Sequence, residues 1–510
     1  MKMRNQYRLG AMLSYGMTVL NILITLFYTP FILRMIGTDQ QGIYNTIGSM
    51  VSNIAVLDLG LGNAVIRYVA KYRAEGKREE MSRFLGMVLS VYLVIGAIVL
   101  VIGGGIYVNL GNFFTNYTPD MLAIARPMFL LLLFNATLSM VMNVFPAVLS
   151  GYEQFVTRNA LSIGRVVVRA VLLPVLLLAG GNVLTIAVLD TSLSVALTLF
   201  YFAYSVFKLK VRIRFGHVDV KLFKEVARYS SFIFLNMLME QMYWSTDAII
   251  IGKFYVPSVV LISTYGTQIA QYFIQFSGAL SNLFLPRATQ MAVHGESREA
   301  MTDLMIRVGR IQLMLCALIA IGFTCVGRQF FMCWLGDEMG AQAVTQCYII
   351  ALMLVWALMI PMFENTGIAI VQALNRHAFR SIVLCAIAAL NVVASVFLAK
   401  AWGPIGAAIG TAVSLLIGNV GIINWYYWKR VGLNIPRFFR QTLKGILPAA
   451  IVCGAVGALT LCMPQDGWLT LAARACVIVA AYVPLMFWIG MNDEERGEVR
   501  RLLQRRRRAE

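Results

Sequence analysis

The chain has 510 residues, of which 59% are hydrophobic and only 13% are charged. Soluble domains have roughly 25% charged residues, so this composition excludes a water-soluble protein and predicts an all-α polytopic membrane protein. The net charge of +19 is explained by basic residues at the ends of apolar runs, and we therefore predict no nucleic-acid partner.

Apolar runs that are long enough to cross a bilayer, about 20 residues each, recur along the whole chain. From them we predict about fourteen transmembrane helices. These lie near residues 11–34, 42–66, 84–108, 121–148, 160–180, 183–207, 229–252, 258–283, 309–331, 343–372, 380–400, 404–428, 444–463 and 468–490.

The orientation follows from the basic residues, because Lys and Arg near span ends are retained in the cytoplasm. If the N-terminus is inside, most of the 43 basic residues fall in cytoplasmic segments. We therefore predict a multi-pass protein of a bacterial inner (plasma) membrane with both termini in the cytoplasm. The basic tail at Arg505–Arg508 would then lie near anionic lipid headgroups.

The second half of the chain repeats the pattern of the first at a shift of 221 or 222 residues. SGYEQFVTR at 150–158 falls on QALNRHAFR at 372–380, and Gly181 falls on Gly403. Six spans per copy is an even number, so we predict two parallel six-helix repeats around a central cavity, followed by two C-terminal helices. The predicted divisions are an N-terminal lobe at 1–207, a basic cytoplasmic linker at 208–228, a C-terminal lobe at 229–430, helices thirteen and fourteen at 431–491 and a basic cytoplasmic tail at 492–510.

In the first half, the charged residues within or at the edges of predicted spans are mainly basic. They include Arg126, Arg165 and Arg169, whereas Asp58 and Asp190 are the acidic ones. A charged side chain at mid-membrane costs about 2.5 to 3.5 kcal/mol, so each one needs a partner or a wet cavity. The planar fork of arginine binds two phosphate oxygens at once. We therefore predict that these three arginines bind an anionic substrate.

In the second half, predicted helix eight carries a polar stripe. Thr264, Gln268, Gln271, Gln275 and Asn282 recur at intervals of three, four and seven, which places them on one helical face. We predict that this face lines the cavity and that the three glutamines contact the substrate. Hydrogen bonding between helices is the alternative.

Acidic residues of the second half are candidates for a coupling cation or proton. Glu240 and Asp247 lie seven residues apart on one side of predicted helix seven, and Glu364 follows Pro361 in helix ten. A proline leaves a carbonyl unpaired and can kink a span, and broken helices in transporters often hold ions. The alternative is that these carboxylates pair with Lys or Arg of a neighbouring span.

Three segments together are similar to a known family. They are GTDQQGIY at 37–44, LDLGLGNAVIRYVA at 57–70 and GPIGAAIGTAVS at 403–414. With them, the chain resembles the polysaccharide biosynthesis flippases of the multidrug/oligosaccharidyl-lipid/polysaccharide exporter superfamily over nearly its whole length. We interpret Asp58 of the second segment mainly as structural, capping a helix or pairing with Arg67, and a direct role in the substrate site is the alternative.

The resemblance implies a function and partners. It implies a flippase that moves an undecaprenyl-pyrophosphate-linked oligosaccharide to the outer leaflet by alternating access, for O-antigen, capsule or a related glycan. The implied partners are that lipid-linked oligosaccharide, membrane lipids and glycan polymerases.

The resemblance also implies a sodium site. In the related lipid II flippases, sodium is held by an Asp of helix seven, an Asn of helix eleven and a Thr of helix twelve. The matching positions are Asp247, Asn391 and Thr411, and hard oxygen donors of this kind suit a small cation. A proton held by Glu240 or Glu364 is the alternative, and no other cofactor is expected.

Two other functions compete with this interpretation. A drug exporter of the same superfamily would share the fold, but the basic first half favours a phosphate-bearing lipid because many exported drugs are cations. A membrane enzyme such as a glycan polymerase would need a catalytic outer loop, whereas the predicted outer connections at 109–120 and 336–342 are short. We therefore predict that the protein is not an enzyme.

Overall fold

The computed structural model describes residues 3–216, 219–281, 289–291, 293–294, 296–374, 376 and 378–507, which contain no β-strand and are nearly all helical. The prediction of an all-α polytopic fold is confirmed. The α-helices of at least four residues are, in chain order, α1 (Met3–Ala55), α2 (Leu61–Ala74), α3 (Arg78–Val108), α4 (Leu110–Phe113), α5 (Pro119–Val141), α6 (Val144–Gly151), α7 (Phe155–Leu178), α8 (Val183–Ala203), α9 (Val220–Trp244), α10 (Thr246–Phe254), α11 (Pro257–Ser281), α12 (Arg298–Phe363), α13 (Thr366–Ala373), α14 (Ala378–Leu415), α15 (Ile435–Leu443), α16 (Ile446–Leu459), α17 (Gly467–Leu485) and α18 (Asp493–Arg507).

Within the described residues, eight helical stretches are long and apolar enough to cross a bilayer. A ninth arises if α15 and α16, which meet at a bend of 44°, are taken as one span. Some of these stretches are far longer than a bilayer is thick, since about 20 helical residues already span 30 Å. The count of fourteen spans stays a prediction.

Each of the three longest helices contains one glycine whose backbone is not helical. Gly37 in α1 and Gly340 in α12 both have φ of 80°, and Gly403 in α14 has φ of 62°. Glycine adopts this left-handed region at little cost because it has no Cβ. Each glycine lies between two consecutive predicted spans. In α14 the chain folds back there, since Asn391 and Thr411 on either side of Gly403 are hydrogen-bonded to each other.

Contacts divide the chain into two compact units, Met1–Leu261 and Ile262–Glu510. In the first unit, α1 packs against α5 and α7, and α5 also packs against α8 and α3. In the second unit, α12 is the central helix and packs against α14, α15, α16 and α17. The boundaries predicted for the lobes, linker and tail stay predictions.

A break in a helix recurs at the same place in both halves of the chain. α5 ends at Val141 and α6 begins at Val144, whereas α12 ends at Phe363 and α13 begins at Thr366. Both α6 and α13 have eight residues. Asn143 and Asn365 occupy equivalent positions in the two breaks, at the shift of 222 residues found in the sequence. This shared local structure supports the predicted repeat.

A fully buried arginine ties α17 to α12. Arg474 is 0% exposed. Its guanidinium donates hydrogen bonds to Oε1 of Gln329 at 2.6 Å and to the carbonyl oxygen of Cys325 at 2.8 Å, both on α12. A third hydrogen bond goes to Oγ1 of Thr460 at 3.4 Å. Burial of this charge is tolerated because the surrounding polar atoms replace water as its partners.

A second arginine ties the C-terminal helix to the rest of the second unit. Nε and Nη2 of Arg310 donate to the two carboxylate oxygens of Glu495 on α18, at 2.7 and 3.0 Å. The remaining N–H groups donate to the carbonyl oxygens of Gln441, Lys444 and Gly490, at 2.8, 2.9 and 2.7 Å. All five donors of the guanidinium are thus used, which fixes the start of α18 against α12.

Candidate functional site

Helix breaks place a carboxylate and an amide together inside the first unit. The chain between α1 and α2 leaves the helical conformation at Leu59 and Gly60, whose φ angles are 55° and 68°. The side chain of Asp58, just before this break, accepts a hydrogen bond of 3.3 Å from Nδ2 of Asn143, which lies in the break between α5 and α6. Sequence reasoning missed Asn143, although its alignment with Asn365 in the repeat could have identified it.

Arg67 makes contacts of another kind. Its guanidinium carbon lies 5.0 Å from the ring centroid of Tyr229 and 6.0 Å from that of Tyr68. These are cation–π distances. The carboxylate of Asp58 is therefore held by Asn143, and the arginine is held by aromatic rings.

A buried ion pair joins α1, α7 and α8. Nε and Nη2 of Arg169 donate to the two carboxylate oxygens of Asp190 at 2.5 and 3.0 Å. Tyr44 donates its hydroxyl hydrogen to the same carboxylate at 2.8 Å. Asp190 is only 8% exposed. This contact compensates the charge of Arg169. The role of Arg169 in substrate binding stays a prediction. Neither the ion pair nor the contribution of Tyr44 was predicted.

The other two predicted arginines keep their charge uncompensated. Arg165 lies one helical turn before Arg169 on α7 and is half-buried, whereas Arg126 is exposed on α5 beside Pro127. Among the residues that the structure describes, neither of them forms an ion pair. The first unit therefore presents two positive charges in its apolar helices without a carboxylate partner.

The glutamines of α11 flank its packed face. The buried residues of this helix include Ser263, Gly266, Ala270, Phe273 and Ser277. Gln268 donates to the hydroxyl of Tyr272 at 2.9 Å within the same helix. Gln271 is half-buried and Gln275 is exposed, so both amides remain accessible. Asn282, the last residue of the predicted stripe, lies outside the described residues.

A cluster of neutral polar side chains lies where α14 folds back on itself. Nδ2 of Asn391 donates to Oγ1 of Thr411 at 3.2 Å, and the hydroxyl of Ser395 donates to Oδ1 of Asn391 at 3.4 Å. All three side chains are almost completely buried. Their oxygens are hard donors of the kind that a sodium ion prefers. Ser395 was not predicted, although its spacing of four from Asn391 puts it on the same helical face.

The three predicted carboxylates have different surroundings. Asp247, in the first turn of α10, is 9% exposed. Glu364 is 4% exposed and accepts a hydrogen bond of 2.8 Å from Nδ2 of Asn424. Glu240 is exposed on α9. Asp247 and Glu364 are therefore the more enclosed candidates for an ion or a proton, and Asn424 is a partner that sequence reasoning did not identify.

The second unit also contains an apolar cavity. It has a volume of about 570 Å³ and lies between α12, α15 and α16. Its walls include Ile321, Trp356, Phe363, Phe439, Leu447 and Ile451. Such a surface suits a hydrocarbon chain rather than a polar group.

Solved structures with a similar fold are membrane transporters. The lipid II flippase MurJ in an inward closed conformation has a TM-score of 0.71 at 14% identity, over 94% of this chain and 97% of that chain. An inward-facing multidrug resistance MATE family transporter of the MOP superfamily has a TM-score of 0.65 at 15% identity, over 82% and 96% of the two chains. A MOP superfamily transporter from Pyrococcus furiosus has a TM-score of 0.57 at 16% identity, over 86% and 96%. At these identities the likeness concerns the fold.

The fold that these proteins share is that of transporters and not of enzymes, as predicted. Among curated protein sequences, none matches this chain. The family of polysaccharide biosynthesis proteins matches it over residues 9–289. Because this match covers more than half of the 510 residues, the chain belongs to the polysaccharide biosynthesis protein family.

Proposed function

We propose that this protein is a flippase for a polyprenyl-pyrophosphate-linked oligosaccharide. It would move this lipid from the cytoplasmic to the outer leaflet of a bacterial inner membrane by alternating access, for O-antigen, capsule or a related surface polysaccharide. The observation that carries the proposal is the pair of uncompensated arginines, Arg126 and Arg165, in the membrane helices of a polysaccharide biosynthesis protein. Arginine is well suited to bind pyrophosphate oxygens.

The remaining parts of the substrate also have matching surfaces. The sugar head cannot cross hydrocarbon unaided, and the accessible amides of Gln271 and Gln275 can exchange hydrogen bonds with its hydroxyl groups. The apolar cavity of about 570 Å³ in the second unit suits a segment of the polyprenyl tail. We therefore assign the head to polar side chains of the helices and the tail to this apolar surface or the surrounding lipid.

Transport in proteoliposomes tests the proposal. With a fluorescent polyprenyl-pyrophosphate oligosaccharide, we expect Arg126→Gln and Arg165→Gln each to lower the translocation rate by about tenfold, because a lost hydrogen bond between charged groups costs about 1.5 to 3 kcal/mol. Arg440→Gln removes the same charge from an exposed position on the amphipathic helix α15, and we expect it to leave the rate unchanged.

Drug export is the competing function, since the MATE transporters share this fold. Uptake of a cationic dye should be measured in the same vesicles. Dye movement without transfer of the lipid-linked oligosaccharide would replace the proposed function and leave the fold intact.

We further propose that a cation drives transport, with Asp247 of the first unit and Asn391 and Thr411 of the second unit as the candidates for binding it. Asp247 supplies the charged oxygens of this set, so we expect Asp247→Asn to abolish the dependence of transport on a sodium gradient. The measurement is the initial rate with sodium and proton gradients imposed separately.

Two further variants test whether another carboxylate binds the coupling ion. Glu240→Gln changes an exposed carboxylate and should retain the sodium response, whereas Glu364→Gln tests the buried alternative. If the wild-type protein responds to a proton gradient alone and only Glu364→Gln removes that response, the sodium assignment is wrong.

A further inference from the structure

A second cavity lies in the first unit, at the end predicted to be cytoplasmic. It has a volume of about 1150 Å³ and lies between the loop that joins α2 to α3 and the segment at 208–214. Among its lining residues, six are basic and one, Glu79, is acidic. The basic lining residues are Arg73, Arg78, Lys208, Lys210, Arg212 and Arg214.

The segment at 208–214 alternates between basic and apolar residues, KLKVRIR. Its backbone is not uniformly extended, because Lys208 ends a helical turn and Lys210 has a φ of 54°. Val211 is 5% exposed, and Leu209 and Ile213 pack against the hydrophobic core of the first unit. The basic residues between them are all exposed. The basic side chains of the segment are therefore exposed, whereas the apolar side chains between them are packed.

Contacts with α3 fix this segment in place. The hydroxyl of Ser82 donates to the carbonyl oxygen of Arg212 at 2.8 Å, and the amide of Arg214 donates to the carbonyl oxygen of Ser82 at 3.1 Å. At Gly86, a Cβ atom would lie 1.9 Å from the carbonyl oxygen of Arg214, so only glycine permits this approach. The segment is thus part of the packed structure rather than a loose linker.

Part of the positive charge has local partners. Arg214 forms an ion pair with Glu79 at 3.1 Å. Arg73 lies 4.9 Å from the ring centroid of Tyr152, and Lys208 lies at the same distance from that of Tyr204.

The rest of the charge is not compensated. In the described part of the chain, Arg78, Lys210 and Arg212 form no ion pair. The nearby carboxylates of Glu75 and Glu80 are paired with Lys77, at 3.0 and 3.7 Å, and the hydrogen bond that Lys77 donates to Glu75 raises the pKa of Lys77. An excess of positive charge therefore remains in the cavity.

We propose that this cavity binds a group with two linked phosphates, either on a soluble molecule or as the headgroup of an anionic lipid such as cardiolipin. Three uncompensated cations on a fixed frame suit a doubly charged anion, and guanidinium groups bind phosphate oxygens in pairs. The volume is large enough for phosphates that carry a further group. The proposed transport substrate also carries a pyrophosphate, but the two sites are distinct, because neither Arg126 nor Arg165 lines this cavity.

Binding measurements on the full-length protein test this site. Inorganic pyrophosphate is titrated by calorimetry into protein in phosphatidylcholine nanodiscs, and retention of cardiolipin is followed by native mass spectrometry. We expect the triple variant R78Q/K210Q/R212Q to weaken binding by roughly tenfold or more. The control K221Q/K224Q/R228Q removes three charges from exposed positions of α9 that do not line the cavity, and we expect it to change binding less than about twofold.

The two probes distinguish the source of the phosphates. Pyrophosphate binding that only the cavity variant weakens supports a soluble ligand, and cardiolipin retention that only the cavity variant abolishes supports a lipid headgroup. Equal weakening by both triple variants would indicate general attraction to a basic surface and would overturn the proposal. Absence of binding for both probes would overturn it as well.

Discussion

Replacing Asp190 by alanine is expected to lower the free energy of unfolding by about 3 kcal/mol. The change would leave the guanidinium of Arg169 and the hydroxyl of Tyr44 without their shared acceptor inside the membrane helices. Breaking a buried ion pair by removing one partner costs roughly 3 to 5 kcal/mol. The lower value applies here because the side chain of Arg169 keeps 29% exposure. Thermal unfolding in nanodiscs, followed by intrinsic fluorescence, measures the effect.

Two comparisons separate loss of the pair from loss of a charge. Asp493→Asn removes a fully exposed carboxylate that pairs with Arg496, and it should leave the unfolding midpoint unchanged. The double variant R169M/D190L removes both charges and should recover most of the lost stability. A double variant as unstable as Asp190→Ala would show that the ion pair is not the cause.

Replacing Arg310 by glutamine is expected to release α18 from the second unit. Glutamine cannot supply the five hydrogen bonds that connect α12 to Glu495 and to the carbonyls of Gln441, Lys444 and Gly490. Loss of even one hydrogen bond to a charged group costs about 1.5 to 3 kcal/mol, which corresponds to at least roughly tenfold in the population of the docked form. Hydrogen exchange of residues 493–501 should therefore accelerate by that factor or more.

Arg307→Gln is the matched control for this release. Arg307 lies one turn earlier on α12 and pairs with Glu498 of the same C-terminal helix, but both side chains are more than half exposed. Exposed pairs contribute little, so exchange in α18 should stay close to that of the wild type. If both variants accelerate exchange equally, burial of Arg310 is not what holds the helix.

The fold was largely predictable because composition and hydropathy act on whole segments. Apolar runs and basic flanks identified an all-α polytopic protein, and loops aligned at a shift of 222 residues indicated the repeat. The glycines at which long helices change direction were harder to interpret. Gly403 and Gly37 stand among many other glycines, and only the backbone angles show which ones have left-handed φ.

Side-chain partners were much less predictable. Arg169 and Asp190 are 21 residues apart on different helices, and their contact depends on the rotation of α7 against α8, which hydropathy does not define. Arg169 was therefore assigned to the substrate without its ion pair. Asn143 and Asn424 were not singled out, because a neutral amide in an apolar run carries little signal until its acceptor is known. The alternation of basic and apolar residues in KLKVRIR is visible in the sequence, but a count of the charges alone did not reveal it.

The burial of Arg474 has a consequence for how the chain is made. As α17 leaves the ribosome, an isolated copy would expose a guanidinium to hydrocarbon at a cost of about 2.5 to 3.5 kcal/mol. Its acceptors on Gln329 and Cys325 belong to α12, which is synthesised earlier. Stable insertion of the last apolar helix therefore depends on a partner already present in the bilayer, so biosynthesis of this end of the protein is cooperative rather than helix by helix.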